Sequence, residues 1–289
     1  MPVAIKQRKK RELKCGKYVL PLSGRTLIMG ILNRTPDSFS DGGNFTDDTA
    51  AIRHAEMMAR DGADIIDVGG ESTRPGSEPV GLQEELDRTI PIIERIAGEI
   101  DIPVSIDTSK HEVALHAIRA GATMVNDVTG LRYDPAMAGV ISRHDVAVSV
   151  MHMQGTPKNM QESPNYRDLM GEVSDGLRES IDIALARGIQ PDKIIVDPGI
   201  GFGKTVAHNL SIIRGLKEIE ALGFPILIGV SRKSFIGSLL GCGTSRRLAG
   251  SLSASVIAIA NGADILRAHD VKETRDLVRM TDALIEKGL

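Results

Sequence analysis

The chain has 289 residues, of which 42% are hydrophobic, and its formal net charge is -3. This length supports a well-buried core, in one large domain or two small ones. The near-neutral charge gives no electrostatic case for nucleic acid, and no apolar run approaches the roughly 20 residues that span a bilayer, so a nucleic-acid-binding or membrane protein is not expected.

The first segment of the chain is polar and basic. Residues 1–12 contain the run "KQRKKR" (Lys6 to Arg11) and are interpreted as a solvated extension, because no aromatic residues interleave with the charges. This N-terminus lacks the apolar core of a signal peptide. The cysteines, Cys15 and Cys242, are too few for a disulfide framework and lack zinc-binding spacing, so we expect free thiols and a cytoplasmic location.

Strand patterns follow the extension. The stretch "LKCGKYVLPLSGR" predicts a short β-hairpin with its turn at Cys15-Gly16, closing the floor of the domain. Short apolar or β-branched runs then predict eight strands, at residues 26–33, 64–70, 104–108, 123–127, 146–152, 193–198, 225–231 and 264–269.

Helical patterns separate these strands, for example at residues 50–60, 82–100, 169–187 and 210–222. Four strands are preceded by a helix end and then Gly-Ala or Gly-Phe, in "DGADII", "AGATMV", "LGFPIL" and "NGADIL". Glycine ends a helix in a left-handed conformation, and the next strand then begins at once.

Eight strand–helix alternations with nearly continuous apolar strands predict a parallel sheet covered by helices. The fold class expected is α/β, a single-domain (β/α)8 TIM barrel over residues 13–289, for which about 250 residues are typical. A doubly wound open sheet is the alternative.

A polar residue stands at or just after the end of every predicted strand. In a barrel, these ends and the loops after them assemble the active site. In chain order the residues are Asn33, Asp67 with Glu71, Asp107, Asn126 with Asp127, His152, Asp197, Ser231 with Lys233, and Arg267 with His269.

These polar groups divide into two chemical sets. The acids and amide Asp107, Asn126 and Asp197 suit a flat heterocycle with several N–H donors, such as a pterin or guanine edge. The second set suits a phosphate or diphosphate and consists of Thr73 and Arg74 in "GGESTRPG" with Arg267 and His269 in "RAH". Asn33 offers a carbonyl oxygen as a ligand for Mg²⁺.

Three other motifs are rejected. "GIGFGKT" (199–205) ends like a phosphate-binding loop, but Pro198 stands where that motif needs glycine. His152 and His269 lack the local spacing of a zinc-binding pair. Ser231 has no flanking elbow glycines, so a Ser/His/Asp nucleophile is not supported.

Several long motifs together resemble the dihydropteroate synthase family, in that family's order, from about Thr26 to Thr281. They are "ILNRTPDSFSDGG", "DVGGESTRPG", "SIDTSK", "VND", "DPGIGFGKT", "GVSRKSFIG" and "RAHDVKE". The resemblance implies a pterin-binding barrel that condenses 6-hydroxymethyl-7,8-dihydropterin diphosphate with p-aminobenzoate, forming 7,8-dihydropteroate and diphosphate. It also implies Mg²⁺ and a homodimer.

The resemblance also implies roles for individual residues, with Asp107, Lys233, Arg267 and His269 in the catalytic set. The pterin pocket falls on Asp107, Asn126, Asp197 and Lys233, the diphosphate site on Thr73, Arg267 and His269 with Arg74 nearby, and the Mg²⁺ ligand on Asn33. Ala268 is a further substrate-binding residue. The p-aminobenzoate pocket falls on Phe39, Pro75, Phe202, Ser234 and the stem of Lys233.

One position departs from the family pattern, because Arg34 replaces the usual apolar residue after Asn33. Alternation along the strand turns Arg34 away from the direction of Asn33. We expect a salt bridge near the barrel rim; the alternative is direct participation in anion binding.

Two other functions remain open from the sequence. A methyltetrahydrofolate:corrinoid methyltransferase would need a similar Asp/Asn/Asp pocket but no diphosphate site, so Thr73, Arg74, Arg267 and His269 argue against it. A non-catalytic pterin-binding protein would keep the pocket without the chemistry.

Overall fold

The computed structural model describes residues 11–34, 44–74 and 76–286, and alternating strands and helices make up most of them. The strands are β1 Glu12–Cys15, β2 Tyr18–Pro21, β3 Leu27–Asn33, β4 Ile65–Gly69, β5 Val104–Asp107, β6 Met124–Asp127, β7 Ala147–Met151, β8 Ile194–Asp197, β9 Leu227–Ile228 and β10 Ile265–Ala268. The helices are α1 Asn44–Arg60, α2 Leu82–Glu99, α3 His111–Arg119, α4 Met137–His144, α5 Leu169–Ala186, α6 Val206–Glu220, α7 Ser234–Leu240, α8 Leu248–Ala260 and α9 Val271–Glu286.

The strands β3 to β10 form one parallel barrel. They are hydrogen-bonded in the order β8-β7-β6-β5-β4-β3-β10-β9. A parallel bridge between Val196 and Ile226 joins β8 to β9, and Val196 N donates to Pro225 O at 2.9 Å. Because the two ends of the sheet meet, the predicted (β/α)8 barrel is confirmed and the open-sheet alternative is wrong.

The glycines that precede four strands behave as the sequence indicates. Gly62, Gly121, Gly223 and Gly262 have φ values of +101°, +112°, +90° and +111°. Each ends a helix in a conformation that disfavours side chains. This explains why the strand starts were predicted to within about two residues.

The hairpin β1–β2 closes the N-terminal end of the barrel. Leu13, Cys15 and Leu22 are fully or almost fully buried and pack against lumen-facing residues such as Leu27 and Met29. Cys15 pairs with Tyr18, so the turn is Gly16-Lys17, one residue later than predicted. Cys15 belongs to the strand because its side chain is part of this core. The C-terminal end of the barrel is therefore the end at which polar groups can meet solvent.

The main hydrophobic core lies between the outer face of the barrel and the surrounding helices. Among the described residues, no helix combines the length and the apolar character that crossing a membrane requires.

Candidate active site

A small cavity of about 50 Å³ opens at the C-terminal end of the barrel. This face of a barrel is a preferred location for small-molecule sites. The residues that line it come from all eight barrel strands or the segments that follow them: Ile31, Thr73, Asp107, Asn126, Val128, Met151, Asp197, Ile200, Phe202, Gly229, Ser231, Lys233, Arg267 and His269.

A charged network forms one wall of this cavity and its base. Arg267 donates through Nε to Asp67 Oδ2 at 2.6 Å and through Nη2 to Asp107 Oδ2 at 2.7 Å. Asn126 Nδ2 also donates to Asp67 Oδ2, at 3.1 Å. Asp67 is completely buried and therefore fixes both a guanidinium and a carboxamide at the edge of the pocket.

Asp107 keeps one oxygen for a ligand. Its Oδ1 is buried and has no hydrogen-bond partner among the described residues, although the side chain lines the cavity. Burial raises the pKa of Asp107 to about 7, although the Arg267 charge opposes this shift. A buried polar atom without a partner is costly. This oxygen is therefore suited to accept an N–H donor or to stabilise nearby positive charge.

The pair Asp197 and Lys233 forms the opposite wall. Asp197 Oδ1 accepts a hydrogen bond from Gly199 N at 2.7 Å, and burial raises the pKa of its carboxyl group. Burial lowers the pKa of Lys233 to about 8, with the Asp197 charge acting in the opposite direction. Lys233 Nζ lies 4.1 Å from the centre of the Phe202 ring. The wall thus offers a carboxylate, an ammonium group and an aromatic face.

His269 occupies the rim beside Ser231. Its Nδ1 lies 3.0 Å from Ser231 Oγ, and its backbone N donates to the same oxygen at 3.2 Å. Burial, with the Arg267 charge, lowers the pKa of His269 to about 3, so the ligand-free imidazole is neutral at neutral pH. His269 can then offer an anion an N–H hydrogen bond but not a full positive charge.

The structure places the predicted site residues in three groups. Those that line the cavity are Thr73, Asp107, Asn126, Asp197, Phe202, Lys233, Arg267 and His269. Arg74 and Ser234 are exposed and do not line it, and alternation along β10 turns the methyl group of Ala268 to the helix side, so Ala268 can act only through its backbone. Phe39 and Pro75 lie outside the described residues.

Asn33 lies next to the cavity at the end of β3. A Cβ atom at Gly69 would lie 3.8 Å from both Asn33 Oδ1 and Asp107 Oδ2. The absence of a side chain at Gly69 thus leaves a space that two hard oxygen atoms border.

Arg34 forms the predicted salt bridge. Its Nη2 pairs with Asp48 of α1, and its Nε donates to Arg88 O at 3.4 Å. The side chain is only 8% exposed and does not line the cavity. The first of the two expectations for Arg34 is therefore confirmed.

Five strand-end residues named in the sequence analysis were given no role at the site, and three of them have contacts that bear on it. Asp67 holds Arg267 and Asn126 from below, as described above. Ser231 contacts His269. His152 instead binds Lys204 beneath the next loop. Polarity at a strand end was the signal available, and it could not distinguish a ligand contact from a supporting one.

The raised pKa of Asp107 predicts opposite pH dependences for activity and stability. If ionised Asp107 stabilises positive charge in the transition state, kcat/KM should rise with pH through about 7. The folded state retains a proton that the unfolded state has already released, so the free energy of unfolding should fall between about pH 4 and pH 7.

Steady-state kinetics over this pH range measure the change in kcat/KM, and urea unfolding measures the change in the free energy of unfolding. The Asp107→Asn protein is the matched control, and both quantities should depend less on pH in it. A wild-type kcat/KM that is flat across pH 7 would contradict the role given to this carboxylate.

Comparisons with known proteins agree with this geometry. Residues 29–269 match the family described as "Pterin binding enzyme". The chain is 47% identical over 273 residues to a dihydropteroate synthase of Synechocystis sp., covering 94% of each chain. It is 46% identical to the Bacillus subtilis dihydropteroate synthase, covering 91% of this chain and 90% of the relative.

Two solved structures show the same architecture. Xanthomonas albilineans dihydropteroate synthase with 4-aminobenzoic acid superimposes with a TM-score of 0.90 at 42% identity, covering 96% of this chain and 99% of that one. The Clostridium difficile enzyme, solved in the presence of pteroic acid, gives a TM-score of 0.87 at 48% identity, covering 95% and 100%.

Proposed function

The chain belongs to the family of pterin-binding enzymes, and from that premise we propose that it catalyses the dihydropteroate synthase reaction of folate biosynthesis. In this transferase reaction, 6-hydroxymethyl-7,8-dihydropterin diphosphate condenses with p-aminobenzoate to give 7,8-dihydropteroate and diphosphate. The observation that carries the proposal is the cavity wall in which Asp107 and Asn126 face Asp197 and Lys233 across a space open at the barrel mouth.

The division of the cavity gives each substrate a binding surface. The carboxylates of Asp107 and Asp197 and the carboxamide of Asn126 match the N–H and carbonyl groups of a pterin edge. Arg267, His269 and Thr73 lie toward the rim, where the diphosphate would bind. The Phe202 ring and the stem of Lys233 offer an apolar contact for p-aminobenzoate.

The reaction needs no strong base in this site. An aromatic amine is already unprotonated at neutral pH, so the difficult step is cleavage of the C–O bond to the diphosphate. The bonding electrons leave with the diphosphate oxygen, and the pterin ring delocalises the positive charge that remains on its methylene carbon. We propose an SN1-like substitution in which the amine then attacks this carbon and loses its proton.

The residues of the chain position the reactants and stabilise charge, and none becomes covalently attached. The carboxylate of Asp107 lies where it can stabilise the cation, because its Oδ1 has no other described partner. Arg267 and His269 would donate hydrogen bonds to the departing oxygens. Lys233, with a pKa of about 8, is mostly charged at neutral pH and would orient the pterin opposite Asp197.

We also propose that Mg²⁺ assists this site through Asn33. The carboxamide oxygen of Asn33, which borders the space at Gly69, is the kind of hard donor that Mg²⁺ prefers. When bound, the ion would supply positive charge to the diphosphate.

A binding measurement tests the metal proposal without turnover. We expect Mg²⁺ to increase the affinity of the unaltered protein for inorganic diphosphate. Asn33→Ala should lower this gain in binding free energy, the coupling between the two ligands, by at least about 1 kcal/mol. Calorimetric titration with and without Mg²⁺ measures it. Equal coupling in the two proteins would place the ion elsewhere.

We propose a homodimer, supported by an apolar surface on adjacent helices. Leu239 and Leu240 of α7, Ile257 of α8, and Met280 and Leu284 of α9 are exposed by 42–62%. Helix α8 contacts both α7 and α9. Exposed apolar side chains grouped in this way are typical of an interface.

The oligomeric state tests this surface directly. Ile257→Glu should shift the protein toward the monomer, because a carboxylate would be buried in the interface. Light scattering after size-exclusion chromatography measures the mass. Leu185→Glu, at an exposed leucine of α5, is the control and should leave the mass unchanged. A dimer that persists with Ile257→Glu would move the interface to another surface.

The cytoplasm is the location we propose, because Cys15 and Cys242 are both unpaired.

The activity itself is tested by diphosphate release from the pterin diphosphate. Release should require p-aminobenzoate as well as the diphosphate ester. A protein that binds the pterin but releases no diphosphate would instead be the non-catalytic alternative.

A further inference from the structure

Lys204 lies beneath the loop that joins β8 to α6 and takes no part in the chemistry described above. Its residue surface is only 2% exposed. Its Nζ lies 3.0 Å from His152 Nδ1, 3.3 Å from His152 O and 3.0 Å from Phe202 O. An ammonium group has three N–H donors, and here each has an acceptor.

The tautomer and charge of His152 support this arrangement. Burial lowers the pKa of His152 to about 3, with the Lys204 charge adding to the shift. The imidazole is therefore neutral and can keep the Nδ1 lone pair as an acceptor for the lysine. Burial also lowers the pKa of Lys204, while the Asp197 charge opposes the loss of its proton and favours the ammonium form.

The loop above Lys204 is pressed closely against the chain that follows β7. Gly199, Gly201 and Gly203 have φ values of +70°, +82° and +61°. A Cβ atom at Gly199 would lie 1.9 Å from His152 O, and one at Gly203 would lie 2.5 Å from Gln154 O. Lys204 joins the same two segments, since it binds the carbonyl groups of both His152 and Phe202.

This fastening contributes to the position of the Phe202 ring, together with the packing of that ring in a cluster with Val128, Met151 and Met160. The Phe202 carbonyl group is held by Lys204 on one side, while the ring lines the cavity and contacts Lys233 Nζ on the other. Neighbouring carbonyl groups are also held, since Gln161 Nε2 and the Tyr166 hydroxyl donate to Gly201 O and Gly203 O, each at 2.8 Å. Phe202 N donates to Gly199 O at 3.1 Å within the loop, and Lys204 holds the Phe202 carbonyl group from beneath it.

We propose that Lys204 is a positioning residue for the second substrate, holding the Phe202 ring in the place where p-aminobenzoate packs. The inference rests on the proposed function, because it assigns the Phe202 surface to that substrate. It predicts that Lys204 matters for p-aminobenzoate much more than for the pterin diphosphate, because the Asp197 carboxylate that faces the pterin is held by Gly199 N and not by the lysine.

Steady-state kinetics test the selectivity of this effect. Lys204→Met should raise the KM for p-aminobenzoate at least about tenfold, because hydrogen bonds to a charged donor commonly contribute that much. The KM for the pterin diphosphate should change less than about threefold, as should kcat. Lys217→Met, at an exposed lysine of α6, is the matched control and should change neither constant.

A variant pair at His152 gives a second test that leaves the lysine in place. His152→Asn puts a carboxamide oxygen near the position of Nδ1 and should largely preserve the KM for p-aminobenzoate. His152→Leu removes this acceptor and should raise it. If Lys204→Met does not fold, as judged by circular dichroism, the His152 pair decides the outcome.

Ring NMR tests the position of Phe202 without any activity. The chain has only five phenylalanines, so ¹³C labelling of their rings gives a simple spectrum, and Phe202→Leu assigns the signal of interest. Lys204→Met should shift or broaden that signal selectively. An unchanged Phe202 signal, or equal increases in both KM values, would overturn the proposal. If the unaltered protein shows no turnover, the proposed function is wrong. The NMR spectra would then still show whether Lys204 positions the Phe202 ring.

Discussion

We expect Asp197→Ala to weaken the binding of a pterin without its diphosphate group by at least about thirtyfold. The Asp197 carboxylate is only 7% exposed, lines the cavity and faces Lys233. Removing one partner of a buried, charged hydrogen-bonded pair typically costs about 2–5 kcal/mol. Calorimetric titration with the truncated pterin measures this loss separately from the contribution of the anion site.

Two further variants separate ligand recognition from loop structure. Asp197→Asn keeps an acceptor for Gly199 N, whose bond to Oδ1 is 2.7 Å long, but loses the carboxylate, so we expect weak binding here as well. Asp182→Ala removes an exposed carboxylate of α5 and should bind normally. Near wild-type affinity in Asp197→Ala would place the pterin elsewhere in the barrel.

Arg267→Met should cause the second large loss, in both turnover and stability. The guanidinium is hydrogen-bonded to the buried carboxylates of Asp67 and Asp107. Breaking such a buried pair typically costs about 3–5 kcal/mol, so we expect the free energy of unfolding to fall by about this amount at neutral pH. Without the hydrogen bonds that Arg267 would donate to the departing diphosphate, kcat/KM should fall at least about 100-fold. Steady-state kinetics and urea unfolding measure the two effects.

The pH dependence identifies the cause of the instability. The Arg267 charge lowers the pKa of Asp107, so its removal should raise that pKa further. The stability difference from the unaltered protein should then shrink as the pH falls toward about 5, where the carboxyl group is protonated. Arg267→Met combined with Asp67→Asn should recover stability but not turnover. A double variant no more stable than the single one would contradict the charge argument.

The barrel was predictable because its signals are local. Glycines such as Gly62 and Gly262 end helices just before strands, and the strands themselves are nearly continuous apolar runs. The site residues on separate strands were predictable for a related reason, since parallel strands of a barrel bring all their C-terminal ends to the same face. The family motifs then supplied the assignments of individual residues.

Contacts across the barrel lumen were not predictable in this way. Arg267 was expected to bind an anion, but the sequence did not indicate that it pairs with Asp67, 200 residues away, and with Asp107. This pairing depends on how side chains from β10 and β4 meet inside the closed barrel. Lys204 was set aside with its phosphate-loop-like motif, because nothing in the local sequence shows that its side chain turns beneath the loop.

The measurement that tests the account most directly follows the oxygen atom of the bond that breaks. The pterin diphosphate is prepared with ¹⁸O at the bridging position between the methylene carbon and the diphosphate. Cleavage of the C–O bond predicts that the released diphosphate carries the label, and that one dihydropteroate forms for each diphosphate released when p-aminobenzoate is present. Label retained in a hydroxymethylpterin, or diphosphate released equally without p-aminobenzoate, would show that the site hydrolyses the ester and does not carry out the substitution.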